Sequence, residues 1–312
     1  MPGSWFSDPR EANNVSQGLG WTKRNSPSLV NVGYYVTFGW DGGADSLWAQ
    51  GKHAFENANT MKGDKLHLAR QVARRYGDPF EDLFGARLPA ALLTDENSVP
   101  QSDLDLLYHL VLKAWSAYQL QLVSGSSRFD LFAMGDFTAL DPAERRGLHL
   151  FIGKAGCISC HLGPHFTDNL YHSVGVRQDG DNVPAEDLGH YSGLQKLRDV
   201  GYDDFRLLPA RSPTEDDKGR FRTKGLRQVA QSAPYFHAGQ VATLAEVVSF
   251  YNQGGQRGGA GQPSPLMVPL NLTVQEQADL VAFLGSLTGS PVPARYACDN
   301  SLQPTPNAPR CP

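Results

Sequence analysis

Five consecutive residues, Cys157-Ile158-Ser159-Cys160-His161, constrain this chain more than any other feature. On one helical turn, thiols at i and i+3 face the same side, spaced for two thioether bonds to haem vinyl groups. The histidine at i+4 then stands beneath the iron as its proximal ligand. The C-x-x-C-H spacing therefore reads as covalent attachment of a c-type haem. It occurs once in the chain.

A length of 312 residues is enough for two small domains with real cores. The formal net charge is -4 and no long basic run occurs, so nucleic acid is not an expected partner. No stretch reaches the run of about eighteen apolar residues that a membrane span needs. With 32 glycines and 21 prolines, the composition points to many ordered loops around modest helices.

The four cysteines divide into two pairs. Cys157 and Cys160 belong to the pentad, whereas Cys298 and Cys311 bracket a Pro- and Asn-rich tail. A bridge between the second pair would close a short surface loop and persist in an oxidising compartment; free thiols are the alternative. Covalent haem and a tail disulfide together point to the bacterial periplasm. Met1–Arg10 lacks the basic start and apolar core of an export signal, so a removed signal or a late start of the chain is expected.

Helical periodicity dominates. Leu66, Ala69, Val72 and Ala73 recur at helical spacing within Asp64 to Tyr76, and a longer apolar stripe from Ser102 carries Leu104, Leu107, Leu110, Val111, Ala114 and Trp115. Residues 1–60 read as loop-rich, and Arg128 to Thr138 as a connection between domains. Asp141-Pro142 is a cap followed by proline at the first helical position, opening a helix toward the pentad. Residues 177–220 read as a polar loop. Thr243 with Glu246, and Thr273 with Glu276, are capping boxes for two further helices. No alternating strand pattern stands out, so the expected class is mostly α.

The surroundings of the pentad carry a more specific signal. Gly153-Lys154-Ala155-Gly156 runs into it and Phe166-Thr167-Asp168-Asn169 follows; Phe221 to Ala230 and Ala233-Pro234-Tyr235-Phe236-His237-Ala238-Gly239 stand downstream; Arg24-Asn25-Ser26-Pro27-Ser28-Leu29 and Phe38-Gly39-Trp40-Asp41-Gly42 stand upstream. Together these resemble the bacterial di-haem cytochrome c peroxidase family, which includes the MauG proteins, across nearly the whole chain. The resemblance implies two cytochrome-c-like helical domains with long ordered loops, here residues 1–132, incomplete at its N-terminus and without a haem motif, and residues 133–295, with residues 296–312 as a tail. The pentad matches the family's second haem. The first would precede the segment matching Trp5-Phe6-Ser7-Asp8-Pro9, where no cysteine stands.

Residue roles follow from the same resemblance. The second axial position falls on Tyr251, a tyrosine as in MauG-like proteins rather than the methionine of the peroxidases; a phenolate favours Fe(III) and lowers the reduction potential. The competing reading is an aromatic on the buried face of an amphipathic helix. Met267 is the other candidate ligand, but its neighbourhood matches no family ligand position. Trp40 matches the tryptophan between the two haems, a relay for electrons or holes, or else ordinary core packing. Asn25, Ser232 and Pro234 match calcium positions, a side-chain oxygen and two backbone carbonyls. His237 belongs to the signature and is expected near the haem, or as a satisfied core histidine. Gln50 matches a polar residue of the peroxidase pocket, but Thr60 stands where the catalytic glutamate is expected and cannot act as a carboxylate base. Glu56 lies one turn earlier. Lys224 replaces a usual proline and Ala238 a usual acidic residue.

The resemblance thus implies a periplasmic c-type haem redox protein with one covalent haem in this chain and a calcium ion. It would exchange electrons with a small redox protein and react with hydrogen peroxide at a His161/Tyr251-ligated iron, although the peroxidase site is incomplete here. Two other classes stay open: a non-enzymatic mono-haem electron carrier, and a zinc module built from Cys157, Cys160, His165 and His172.

Overall fold

The computed structural model describes residues 15–94, 99–199 and 211–297. Nine α-helices lie among these residues, with one sheet of two two-residue strands. The class is mostly α, as the periodicity implies. Cys298 and Cys311, and the segment around Trp5 to Pro9, lie outside the described residues.

The first helical group comprises α1 (Leu47–Glu56), α2 (Lys65–Phe84) and α3 (Gln101–Leu120). Ser46 and Asp64 cap α1 and α2 by accepting the amides of Ala49 and His67. Helix α2 breaks at Tyr76 (φ -134°, ψ 16°), just before Pro79, whose ring has no N–H to offer and crowds the carbonyl four residues back. Both α1 and α2 pack on α3. Ala69, Val72, Ala73, Phe80, Leu92, Leu104 and Leu107 form the core between α2 and α3. Helix α1 lies in the stretch expected to be loop-rich. It shows no clear period because its sequence mixes Gln50, Lys52 and His53 among few large apolar residues.

The second group is built on α5 (Pro142–Ile152) crossing α8 (Val274–Ser286), with α7 (Leu244–Asn252) packed on α8. The crossing is close because Gly147 faces it: a β-carbon there would stand 2.0 Å from the Asp279 carbonyl. Phe151, Phe166 and Phe283 meet in an aromatic centre, with Phe283 fully buried. Burying one such side chain contributes about 1.5–3 kcal/mol. The segment expected as an inter-domain connection instead contains α4 (Arg128–Ala133), whose Phe129 adds its edge to Phe166 and Phe283. Six residues are too few for a helical period to show in the sequence. Capping boxes open α4, α5, α7 and α8, those of α7 and α8 as expected, and α5 starts at the expected Asp141-Pro142 cap.

Within the polar stretch 177–220, α6 (His190–Asp199) forms where only loop is expected. Strands β1 (Tyr171–His172) and β2 (Phe221–Arg222) pair antiparallel, Tyr171 opposite Arg222. Residues 24–44, although far upstream, dock onto this part of the chain. The Arg222 amide donates to the Trp40 carbonyl (2.9 Å) and the Asn25 amide to the His237 carbonyl (2.7 Å). Arg24 binds Asp187 and Asp41, and Lys196 reaches Asp41 at 2.7 Å.

Candidate haem site

The pentad lies beyond the end of α5 rather than inside it. Helix α5 stops at Ile152, and the chain turns through Gly156 (φ 61°) into a 3-10 turn spanning Cys157–Ser159. Gly156 needs the left-handed region, which its missing β-carbon makes inexpensive. The turn closes with the His161 amide donating to the Cys157 carbonyl at 2.9 Å, so thiols and imidazole are gathered on one turn after all.

Both pentad thiols are free and half-buried. Burial pushes the Cys157 thiol up to about 11, and Cys157 packs against the aromatic centre. His161 Nδ1 donates to the Phe166 carbonyl at 2.9 Å, and the main chain of Lys224 also faces the ring. Burial holds the imidazole below the usual histidine range, so it is neutral. With Nδ1 carrying the proton, Nε2 is left with its lone pair and without a hydrogen bond. A hydrogen bond at one ring nitrogen is what sets which nitrogen can bind metal.

Tyr251, on α7, is half-buried and edges Phe250 at 5.3 Å. Its hydroxyl has no hydrogen-bond partner among the described residues. Burial, with the charge of Cys157 and Cys160 added, drives its phenol above the usual tyrosine range. Met267 instead packs on Gly255.

Beside the pentad stands a second cluster. Trp40 Nε1 donates to the Asn25 carbonyl at 2.7 Å, and its ring lies 6.4 Å from that of His237, edge to face. His237 is stacked on Phe221 at 3.7 Å and bonded through Nε2 to Gln178 at 2.6 Å; burial pulls it down to about 4. The Lys224 ammonium sits 4.5 Å over the Trp40 ring. In the sequence Lys224 is only a departure from a family pattern. Its approach to Trp40 has no sequence signal, because 184 positions separate the two residues.

The calcium positions are brought together in part. The Asn25 side chain reaches Pro234, but with its amide nitrogen donating to the Pro234 carbonyl at 2.7 Å. A cation between them would require the amide to turn so that Oδ1 replaces Nδ2. The Ser232 hydroxyl donates to the Val229 carbonyl, which leaves the Ser232 carbonyl for other use. Gln50 lies half-buried on α1 with no side-chain hydrogen bond among the described residues. Thr60 caps the end of that helix, its hydroxyl donating to the carbonyls of Ala54 and Asn57. Glu56 ion-pairs with Lys52 at 3.7 Å.

The zinc alternative is not assembled as expected. His165 turns away to stack on Tyr34 at 3.9 Å, and among the described residues the gathered set is Cys160, Asp168 and His172. His172 donates to Asp168 at 2.8 Å and, held by Cys160 and Asp168, is raised to about 9.

A neutral, half-buried histidine with one committed nitrogen, two free thiols on its turn and a phenol without a hydrogen bond among the described residues form a donor set that suits haem c. Comparison with known proteins decides the family. Cytochrome-c peroxidase IdrP1 of Pseudomonas sp. (strain SCT) is 34% identical over 295 residues, covering 90% of this chain and 72% of that protein. The chain belongs to the di-haem cytochrome c peroxidase/MauG family. The family model described as di-haem cytochrome c peroxidase matches residues 2–138. Methylamine utilization protein MauG of Methylorubrum extorquens is 29% identical over 281 residues, 89% of this chain and 68% of that one. Among solved structures, a MauG-like protein associated with microbial copper homeostasis superposes with a TM-score of 0.68 at 29% identity, covering 93% of this chain and 82% of that chain. The diheme peroxidase BthA from Burkholderia thailandensis shares the fold, with a TM-score of 0.68. This family member is therefore a haem redox protein of the c type.

Proposed function

We propose that this chain binds one haem c through Cys157, Cys160 and His161, with Tyr251 as the second axial ligand, and works as a periplasmic redox protein of the MauG kind. The observation that carries this reading is the His161 Nδ1–Phe166 hydrogen bond, which leaves Nε2 as a neutral donor, while the Tyr251 phenol makes no hydrogen bond among the described residues and feels the charge of the same sulfurs. When bound, the haem supplies an iron that exchanges single electrons and can be oxidised by peroxide.

The chain's own residues do the remaining work. Phe151, Phe166 and Phe283 back the pentad and exclude water from its inner side. The Phe166 carbonyl fixes the proton on His161 Nδ1 and so holds the ring's orientation. Trp40, bonded to Asn25, lies where electrons would enter or leave toward a small redox protein. Asn25, Ser232 and Pro234 are the calcium candidates, their use depending on a turn of the Asn25 amide. Residues 1–132 and 133–295 correspond to the two cytochrome-c-like domains.

A second reading is supported by Thr60. Its hydroxyl is spent on the end of α1, where a carboxylate base would be needed, which suits an electron carrier without peroxidase chemistry at that position.

Haemochrome spectroscopy of chain exported with haem-maturation factors tests the first reading; a colourless product would remove it. Tyr251→Phe is expected to change the ferric spectrum and raise the reduction potential, and an unchanged spectrum would take Tyr251 off the iron. Rapid mixing with hydrogen peroxide then separates the two readings: an inert ferric protein favours the carrier.

A further inference from the structure

Two cations stand together at the edge of this site without a counter-charge of their own. Arg222 is 3% exposed. Its guanidinium lies 3.8 Å over the Tyr35 ring, its Nε makes a long bond of 3.4 Å to the Gly39 carbonyl, and its Nη1 is buried with no partner. Lys224, two residues on, aims its ammonium between aromatic faces, 4.5 Å from Trp40 and 5.9 Å from Tyr35. Its hydrogen bond, to the same Gly39 carbonyl, is 3.5 Å long. No carboxylate lies within ion-pairing distance of either group among the described residues. The nearest source of negative charge, Asp41, is committed to Arg24 and Lys196.

This arrangement is unusual for the rest of the molecule. Arg128, Arg146, Arg211 and Arg227 each bind a carboxylate, although all four are more exposed than Arg222. Holding a half-buried ammonium beside a buried guanidinium is unfavourable unless an anion joins them. Ring faces alone offset only part of that repulsion. The unpartnered Nη1 of Arg222 and the Lys224 ammonium, flanked by the rings of Tyr35 and Trp40, suit a carboxylate-sized anion.

The main chain of Lys224 also faces His161, so this cation pair borders the candidate haem site. Haem carries two carboxylate side chains of its own. We propose that Arg222 and Lys224 form a two-cation cradle for a haem carboxylate, placed beside Trp40, and that this cradle raises the reduction potential of the haem in this chain. The inference rests on the haem reading above. A cation that compensates a haem carboxylate favours the less positive, ferrous state, so losing it shifts the balance toward ferric.

The test is a redox titration of the matured holoprotein as wild type, Lys224→Met and Lys224→Arg, with haemochrome and Soret spectra recorded for each. Lys224→Met is expected to shift the ferric-to-ferrous ratio at fixed applied potential roughly tenfold toward ferric, about 59 mV for one electron. Lys224→Arg is expected to keep the wild-type ratio, because the charge remains. A Lys224→Met protein with intact covalent haem and an unmoved potential would overturn the inference alone, whereas a wild type without haem would overturn the reading beneath it. Equal shifts in Lys224→Met and Lys224→Arg would also overturn it, since shape rather than charge would then be responsible. Titrating inorganic phosphate at constant ionic strength distinguishes the source of the anion. An insensitive wild-type potential is expected, and a phosphate-dependent one that Lys224→Met abolishes would assign the cradle to a free anion instead.

Discussion

The two helical groups of this molecule solve the same packing problem by different means. Helices α1 to α3 carry simple caps or none: Ser46 and Asp64 for the first two, and Pro100 without a side-chain hydrogen bond for the third. Their core is mainly aliphatic. Helices α4, α5, α7 and α8 each open with a reciprocal capping box, and their core is centred on phenylalanine rings. Buried carboxylates at the α5–α8 crossing are matched by arginines, Glu144 by Arg128 and Asp279 by Arg146. The second group is thus fixed both locally and tertiarily around the pentad. The first contributes to the site through the segment before α1, which supplies Asn25, Tyr35, Trp40 and Asp41. The difference shows a scaffold organised around one rigid half, with a belt from the other half closing its edge.

The largest effect is expected from the centre of the rigid half. Phe283→Ala removes a ring that meets Phe129, Phe151 and Phe166, at a cost of about 4 kcal/mol. Chemical denaturation measures that loss, and haemochrome yield should fall with it. Leu92→Ala, in the first group, should destabilise without altering the haem spectrum. Equal spectral effects from both would break the distinction drawn between the halves.

Next comes the belt. Asp41 is 3% exposed, and although burial opposes its ionisation, Arg24 and Lys196 hold its carboxyl well below the usual carboxylate range. A folded pKa depressed in this way contributes stability above the unfolded value of about 3.9, and the contribution is lost as pH falls through the folded value. Asp41→Asn should therefore cost about 3 kcal/mol near neutrality. The gap to wild type should narrow only below about pH 4. Stability curves against pH check this, and a gap that closes at higher pH would mean that the pair is not what holds the belt.

The smallest effect sharpens the comparison of caps. Thr243→Ala breaks a capping box and should cost about 1 kcal/mol, read from denaturation midpoints. Ser46→Ala removes a single capping bond and should cost no more than that.

Features confined to a few neighbouring residues are legible in the amino-acid sequence. The Asp141–Glu144, Thr243–Glu246 and Thr273–Glu276 boxes sit where their residues announce them, because both partners lie within one turn. Helices α1 and α6 give no such signal, and α4, despite its Ser127–Asp130 box, is too short to show a period; each takes its stability from neighbours rather than from its own period. The same divide runs through the candidate site. The pentad can be read from five letters. No local pattern says that Thr60 is consumed in capping α1, that His165 leaves the pentad for Tyr34, or that Asn25 turns its nitrogen toward Pro234.

By itself, the sequence determined the C-x-x-C-H turn, the class of fold and the starts of α5, α7 and α8, since all depend on interactions between residues a few positions apart. Only the tertiary structure decided which groups share the edge of that site. Tyr35, Trp40, Arg222 and Lys224 come from segments more than 180 residues apart, and they meet because the belt docks on β2 through main-chain hydrogen bonds that carry no residue code. Long-range contacts of that kind depend on where the chain folds back, and charges left without partners become visible only after it has done so.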